Sequence, residues 1–135
     1  MRILSFVLAA SIPMLAQGTV TWEHDMAAAQ KRAKKEGKPI LVDIWAEWCP
    51  PCQHLKNNVF PTPEAQKALR RYVPVSLMTE TKNRMEQPAA MAVARNFRVD
   101  GYPTLLILDA NGKERRRQAG AFATGNDFAA WLGQK

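Results

Sequence analysis

Cys49 and Cys52 stand two residues apart in the run Trp45-Ala46-Glu47-Trp48-Cys49-Pro50-Pro51-Cys52, and the 135-residue chain has no other cysteine. At that spacing two sulfurs can close a small disulfide ring and open it again. So short a loop removes little entropy from the unfolded chain, so the bond points to chemistry rather than to stapling. If Cys49 caps the helix that follows, its sulfur lies where unpaired backbone N–H groups and the positive helix end favour thiolate over thiol. Cys49 is then the nucleophile and Cys52 the resolving partner. Pro50 and Pro51 have no N–H and a fixed φ, which suits a first helical turn and makes it rigid.

Asp43 is the third residue with chemical potential. It interrupts the apolar run Ile40-Leu41-Val42-Asp43-Ile44, where burial disfavours the charged carboxylate and raises its pKa. Such a group needs a partner or a function, unless its side chain turns to a polar edge. Metal binding is the competing chemistry: Cys49 and Cys52, with His54 or His24, could hold copper or zinc. A closed zinc site wants four ligands, and the chain has two cysteines and two histidines, with His24 on a remote segment. Haem attachment through Cys-x-x-Cys-His is excluded because Gln53 follows Cys52.

These residues need positioning elements, and the sequence outlines them. The run over 40–45 predicts a strand covered on both faces. Before it, Trp22, Met26, Ala29 and Ala33 recur at helical spacing, predicting an amphipathic helix over 21–35, capped by Thr19 or Thr21 and ended by Gly37. A helix starts at the cysteines, with His54 on its exposed side, and breaks at Phe60-Pro61. Thr62-Pro63-Glu64 caps a second helical piece reaching about residue 72. A strand follows over 73–78, then a polar loop over 79–87 and a helix from Pro88. The run 105–108 predicts a further strand, Asn111-Gly112 a tight turn with positive φ values, and 113–119 a charged edge strand. Thr124 caps a last helix with Phe128, Trp131 and Leu132 on one face. The length suits one domain with a real core.

Met1-Arg2 and the uncharged apolar stretch over 3–16 have the pattern of a secretory signal peptide, residues 1–16, leaving a domain over 17–135. The alternatives are an uncleaved anchor or a helix packed on the domain. The stretch is shorter than the roughly 20 residues that span a bilayer, so a periplasmic or secreted protein without stable membrane insertion is expected. The formal charge of +7 is spread over Lys31-Arg32-Ala33-Lys34-Lys35, Arg70-Arg71 and Arg115-Arg116-Arg117. Short basic runs on separate elements read as solvated faces, not as a nucleic-acid surface.

The stretch from Trp45 to Cys52 resembles the aromatic-Ala-x-Trp-Cys-x-x-Cys motif of the thioredoxin superfamily, which follows a strand carrying an acid. Gly101-Tyr102-Pro103-Thr104 resembles its cis-proline loop. Within the superfamily, Gly37-Lys38-Pro39, Ala46-Glu47-Trp48-Cys49, Val59-Phe60 and Gln66-Lys67-Ala68-Leu69 are most similar to the C-terminal thioredoxin-like domain of DsbD-type thiol:disulfide interchange proteins and their free-standing secreted relatives. The likeness covers about 21–135. It implies an α/β thioredoxin fold, a central mixed β-sheet flanked by helices with an N-terminal helical extension.

It also implies a thiol-disulfide oxidoreductase that reduces protein disulfides through Cys49 and Cys52, with no cofactor beyond that redox-active disulfide. Asp43, six positions before Cys49, becomes the buried acceptor of the Cys52 proton. Trp48, Pro50, Pro51, Tyr102 and Pro103 become substrate contacts. Expected partners are disulfide-bearing proteins and a separate electron-donor protein, such as a DsbD-like membrane reductase, for a monomeric enzyme. The chain departs from the pattern in two ways. No lysine occurs over 71–80, where short thioredoxins often place one near the acid, and Pro50 stands where the family often has Gly. Neither residue between the cysteines is His, which favours a reductase, although an oxidant or isomerase would use the same pair.

Overall fold

The computed structural model describes residues 18–135, so the expected signal peptide lies outside the described residues. A four-stranded mixed sheet is built around β1 (Ile40–Ala46). This strand runs parallel to β2 (Val73–Glu80) on one side and antiparallel to β3 (Thr104–Leu108) on the other. Strand β4 (Glu114–Ala119) pairs antiparallel with β3 at the far edge. The helices are α1 (Met26–Glu36), α2 (Pro50–His54), α3 (Pro63–Leu69), α4 (Pro88–Asn96) and α5 (Gly125–Leu132), and α2 continues as a π-helical turn over Leu55–Val59. This is the sheet and flanking-helix arrangement that the resemblance implies.

Period-2 alternation along β1 sends its residues to two different layers. Ile40, Val42 and Ile44 join Val73, Val75, Leu77, Leu106 and Leu108 beneath the alanines of α1 and α4. Leu41 joins Leu105, Leu55, Val59, Leu69 and Phe128 beneath α2, α3 and α5. Small residues at Ala29, Ala33, Ala90 and Ala94 let α1 and α4 lie close to the first face. Each fully buried Leu or Ile contributes on the order of 1.5–3 kcal/mol of transfer free energy. Asp43 lies on the second face, in a strand paired on both sides.

Three local expectations are corrected. Helix α1 begins at Met26, with Asp25 as its cap accepting from the Ala28 N–H at 2.7 Å, and not at Thr21. The preceding residues are extended: Glu23 donates its N–H to Pro74 O and accepts the Ser76 N–H, both at 2.8 Å. Pairing with the open edge of β2, together with Trp22 lying 5.0 Å from Phe60, outweighs the helical periodicity at Trp22. At the β3–β4 turn only Gly112 takes positive φ. Asp109 Oδ1 accepts the Asn111 and Lys113 N–H groups at 2.9 and 3.0 Å, so an aspartate-anchored turn replaces the tight Asn-Gly one, and the strand register shifts at Leu108. Helix α3 stops at Leu69 rather than near 72.

Other signals hold. Gly37 ends α1 at φ 64°, Thr62 and Thr124 cap α3 and α5 through their hydroxyls, and the basic runs lie on three separate elements. Within those runs Arg32 pairs with Glu23 and Glu36, Arg115 with Asp109, and Arg117 with Glu114.

Candidate active site

Strand β1 ends at Ala46 and the chain turns through Glu47 and Trp48 into α2, with Cys49 as the N-cap in an extended conformation. Pro50 and Pro51 open the helix and supply no N–H, so the first donor within it is that of Cys52. That N–H points to Cys49 Sγ at 3.3 Å, and the next, from Gln53, goes to Cys49 O at 3.1 Å. The sulfur of Cys49 therefore sits at the positive helix end with one backbone donor aimed at it. Cys49 and Cys52 are joined as a disulfide with Cα atoms 5.3 Å apart, and both residues are buried.

Around this pair pack Ala46, Trp45, Trp48 and Tyr102. Trp48 meets Tyr102 edge to face, with ring centroids 6.1 Å apart, and carries the Arg84 guanidinium 4.2 Å over its ring. The Trp48 Nε1–H is buried without a partner. The Tyr102–Pro103 peptide bond is cis, and Pro103 O accepts the Gly120 N–H at 2.8 Å. Thus Cys49, Cys52, Trp48 and Tyr102 form one cluster, with Pro103 adjoining Tyr102, while Pro50 and Pro51 are exposed in the first turn.

Asp43 is 5% exposed, and its Oδ1 has no hydrogen-bond partner. Burial pushes its carboxyl up to about 7, against a smaller downward pull from Lys56. Lys56 stands four residues beyond Cys52, so the two share one side of the helical segment. Its Nζ lies 5.1 Å over the Trp45 ring, and Trp45 donates its Nε1–H to Ser76 Oγ at 2.8 Å. Asp43, Trp45, Lys56 and Ser76 all line one cavity of about 540 Å³.

Sequence reasoning missed two residues here. The lysine near the acid was sought on the strand over 71–80, but it comes from the helix, and its spacing from Cys52 was the available signal. Arg84 lies in a loop whose composition says only that it is polar, so nothing marked it. His54 Nε2 lies 3.0 Å from Ala123 O and its Nδ1 3.2 Å from Asn58 Nδ2, which ties the helix to the segment before α5. Among the described residues no group of three or more His, Cys, Asp or Glu side chains is placed to hold a metal ion, and no helix is long and apolar enough to cross a membrane.

Comparison with known proteins agrees with this geometry. A family model described as thioredoxin-like domain matches residues 26–135. The chain belongs to the thioredoxin-like family. It is 35% identical over 121 residues to the thiol:disulfide interchange protein DsbD of Haemophilus ducreyi, a match covering 89% of this chain and 20% of that protein. The chain thus spans about a fifth of the length of the curated relatives it matches. Among solved structures, a thioredoxin from Thermus thermophilus superposes with a TM-score of 0.67 at 25% identity, over 82% of this chain and 83% of that one. The oxidised C-terminal domain of DsbD from Neisseria meningitidis has the same fold, with a TM-score of 0.65 at 19% identity over 82% and 96% of the two chains. Within this family the close cysteine pair marks a thiol-disulfide oxidoreductase.

Proposed function

We propose that the protein is a periplasmic or secreted disulfide reductase that uses Cys49 as nucleophile and Cys52 as resolving thiol. The observation that carries this reading is Cys49 at the N-cap of α2 with the Cys52 N–H aimed at its sulfur, in a chain similar to DsbD. In the forward reaction the Cys49 thiolate attacks a substrate disulfide, forms a mixed disulfide and expels one substrate thiolate, which takes a proton from water. Asp43, as carboxylate, then accepts the Cys52 proton. The Cys52 thiolate attacks Cys49 Sγ and releases the second substrate thiolate. Two electrons pass to the substrate, and the Cys49–Cys52 disulfide forms.

Trp48, Tyr102 and Pro103, with Pro50 and Pro51 at the rim, form the face on which an extended substrate segment rests. Electrons return from a separate donor protein, for which a DsbD-like membrane reductase is the natural class. The absence of histidine between the cysteines supports the reducing direction. Export rests on the pattern of residues 1–16. The deciding measurement is the equilibrium potential of the cysteine pair against glutathione or dithiothreitol. A value near that of thioredoxin, about −270 mV, supports a reductase, and one near about −120 mV makes the protein an oxidant.

A further inference from the structure

The loop between β2 and α4 is fastened to the redox turn. Glu47 donates its N–H to Glu80 O at 2.9 Å, and its Oε2 accepts the Lys82 N–H at 2.7 Å. Within the loop, Thr81 donates its N–H to Met85 O and Arg84 its N–H to Thr81 O, both at 2.9 Å, and Gln87 donates to Thr79 O at 2.7 Å. This turn holds Arg84 at φ 62°, a left-handed conformation that is costly for a residue with a Cβ. The cost persists because the surrounding bonds fix the loop. As a result the guanidinium lies 4.2 Å over the ring of Trp48, the residue before Cys49.

What Arg84 lacks is an acid. Among the described residues no carboxylate comes within ion-pair distance of it, whereas Arg32, Arg115 and Arg117 in the basic runs each have one. Glu86, two residues on, pairs with Arg95 at 3.2 Å instead. Arg84 is exposed, and beside it Met85 is 66% exposed, alone among the large apolar residues described. A guanidinium is weakly hydrated and holds its donors in a planar fork. With one face on an indole, its edge still offers paired N–H groups to a carboxylate. Trp48 and Met85 supply apolar surface next to that edge.

We propose that Arg84 is a specificity-determining residue, which receives the carboxylate of an Asp or Glu close to the cysteine of the disulfide that Cys49 attacks. The proposal deepens the reading of Cys49 as nucleophile and rests on it. A segment lying on Trp48 carries its side chains past the Arg84 edge. An acid at one register from the cysteine pairs with the guanidinium, and acids at other registers do not reach it. Preferred partners are therefore disulfides in acidic segments, and a lysine at that register meets like charge.

The test varies charge and register in the full-length protein carrying Cys52→Ser, so that the first step is seen alone. The reduced Cys49 thiolate attacks a symmetrical peptide disulfide. One peptide stays on Cys49 as a mixed disulfide, and the other leaves as a thiolate that takes a proton from water. The peptides carry a single Glu, Gln or Lys at successive places on either side of the cysteine. Each trapping rate is divided by the rate of the same peptide with 2-mercaptoethanol, which removes the effect of the neighbouring charge on the disulfide itself.

At one register Glu is expected to exceed Gln by about fivefold at low salt, with the ratio shrinking as ionic strength rises. Arg84→Gln should bring that ratio to about one. Arg84→Glu should invert the preference in favour of Lys, which a merely structural cover on Trp48 would not do. Lys34→Gln on α1, which removes the same charge elsewhere, should keep the ratio. A preference for Glu that is equal at every register, or that survives Arg84→Gln, is the general pull of a basic chain and overturns the subsite. Equal rates for Glu, Gln and Lys at every register overturn it too, and all of these outcomes leave Cys49 as the attacking thiol. Failure to trap any peptide removes the nucleophile, and the subsite with it.

Discussion

The two faces of β1 are built from the same strand and treat burial in opposite ways. Towards α1 and α4, Ile40, Val42 and Ile44 are fully buried, with no polar side-chain atom among them. Towards α2 the strand offers Leu41, then Asp43, then the half-buried Trp45 beside an open cavity. The first face is an apolar core whose contribution is stability. The second gives up packing and bears a carboxyl with an unpaired oxygen, costs that persist in folded proteins chiefly where a group is used. The contrast teaches that the redox site is asymmetric: its sulfurs belong to the helix end, and its acid to the less stable face of the strand.

Breaking the sulfur half should have the largest effect. Cys49→Ser is expected to abolish reduction of insulin disulfides, whereas Cys52→Ser should accumulate a mixed disulfide with substrate, because only the latter keeps the attacking thiol. Non-reducing electrophoresis and mass spectrometry after mixing with substrate distinguish the two. Equal trapping by both variants would reverse or dissolve the assigned roles.

Asp43→Asn should sharpen the contrast between faces by removing the cost borne by one of them. The carboxyl is raised from 3.8 to about 7 by burial, a shift worth about 4 kcal/mol at most. The sign follows from linkage. Below the unfolded value the group is neutral in both states and costs nothing extra; between about 4 and about 7 only the unfolded chain ionises it, so stability falls as pH rises and the loss levels off once the folded acid ionises near 7. Denaturant melts should therefore show the variant matching the parent near pH 4 and exceeding it by about 2–4 kcal/mol above pH 8. Its mixed-disulfide release should be slower, most clearly between about pH 7, where Asp43 is ionised enough to act, and about pH 8.5, where a free thiol begins to ionise unaided. A variant that is less stable at pH 8 yet releases substrate normally would mark Asp43 as structural.

The opposite face supplies the control. Ile44→Ala removes a fully buried side chain from the apolar layer and is expected to cost about 3 kcal/mol in denaturant melts at every pH. The potential of the cysteine pair should stay within measurement error. A large change in potential would mean that the two layers are coupled, and that the division drawn across β1 is false.

How much of this was legible in the sequence differs between the same two regions. The apolar face was readable because a continuous run such as Ile40 to Ile44 has few folded solutions, and the caps at Thr62 and Thr124 and the stop at Gly37 are local signals that tertiary contacts did not override. The cysteine turn and Asp43 were readable as residue types at fixed spacing. What surrounds the acid was not. Trp22 has helical spacing but is placed by edge pairing of Glu23 with β2, a contact between segments some 50 residues apart. Arg84 reaches Trp48 from a loop 36 residues later, and no local pattern encodes that approach. The Asn111-Gly112 signal was outweighed by Asp109, whose side chain makes its own turn two residues earlier.

The smallest expected effect belongs to Lys56, and it probes the boundary between the sulfur half and the acid half. Lys56 does two things: it pulls the Asp43 carboxyl down, and it lies 5.1 Å over the Trp45 ring. Lys56→Met keeps an apolar stem and removes the charge. Losing the ring contact should cost about 0.5–1 kcal/mol independently of pH. Losing the charge should raise Asp43 further, so that less of it is ionised near neutrality and the pH profile of mixed-disulfide release moves to higher pH, with an unchanged rate at its alkaline plateau. Stability near pH 4, where Asp43 is neutral with or without the lysine, should show only the ring contribution, and stability above pH 8 should show a further small loss. Lys56→Arg should restore the profile. A Lys56→Met profile that coincides with the parent's would show that solvent screens the lysine from the acid, and that the helix helps the strand only by carrying Cys52.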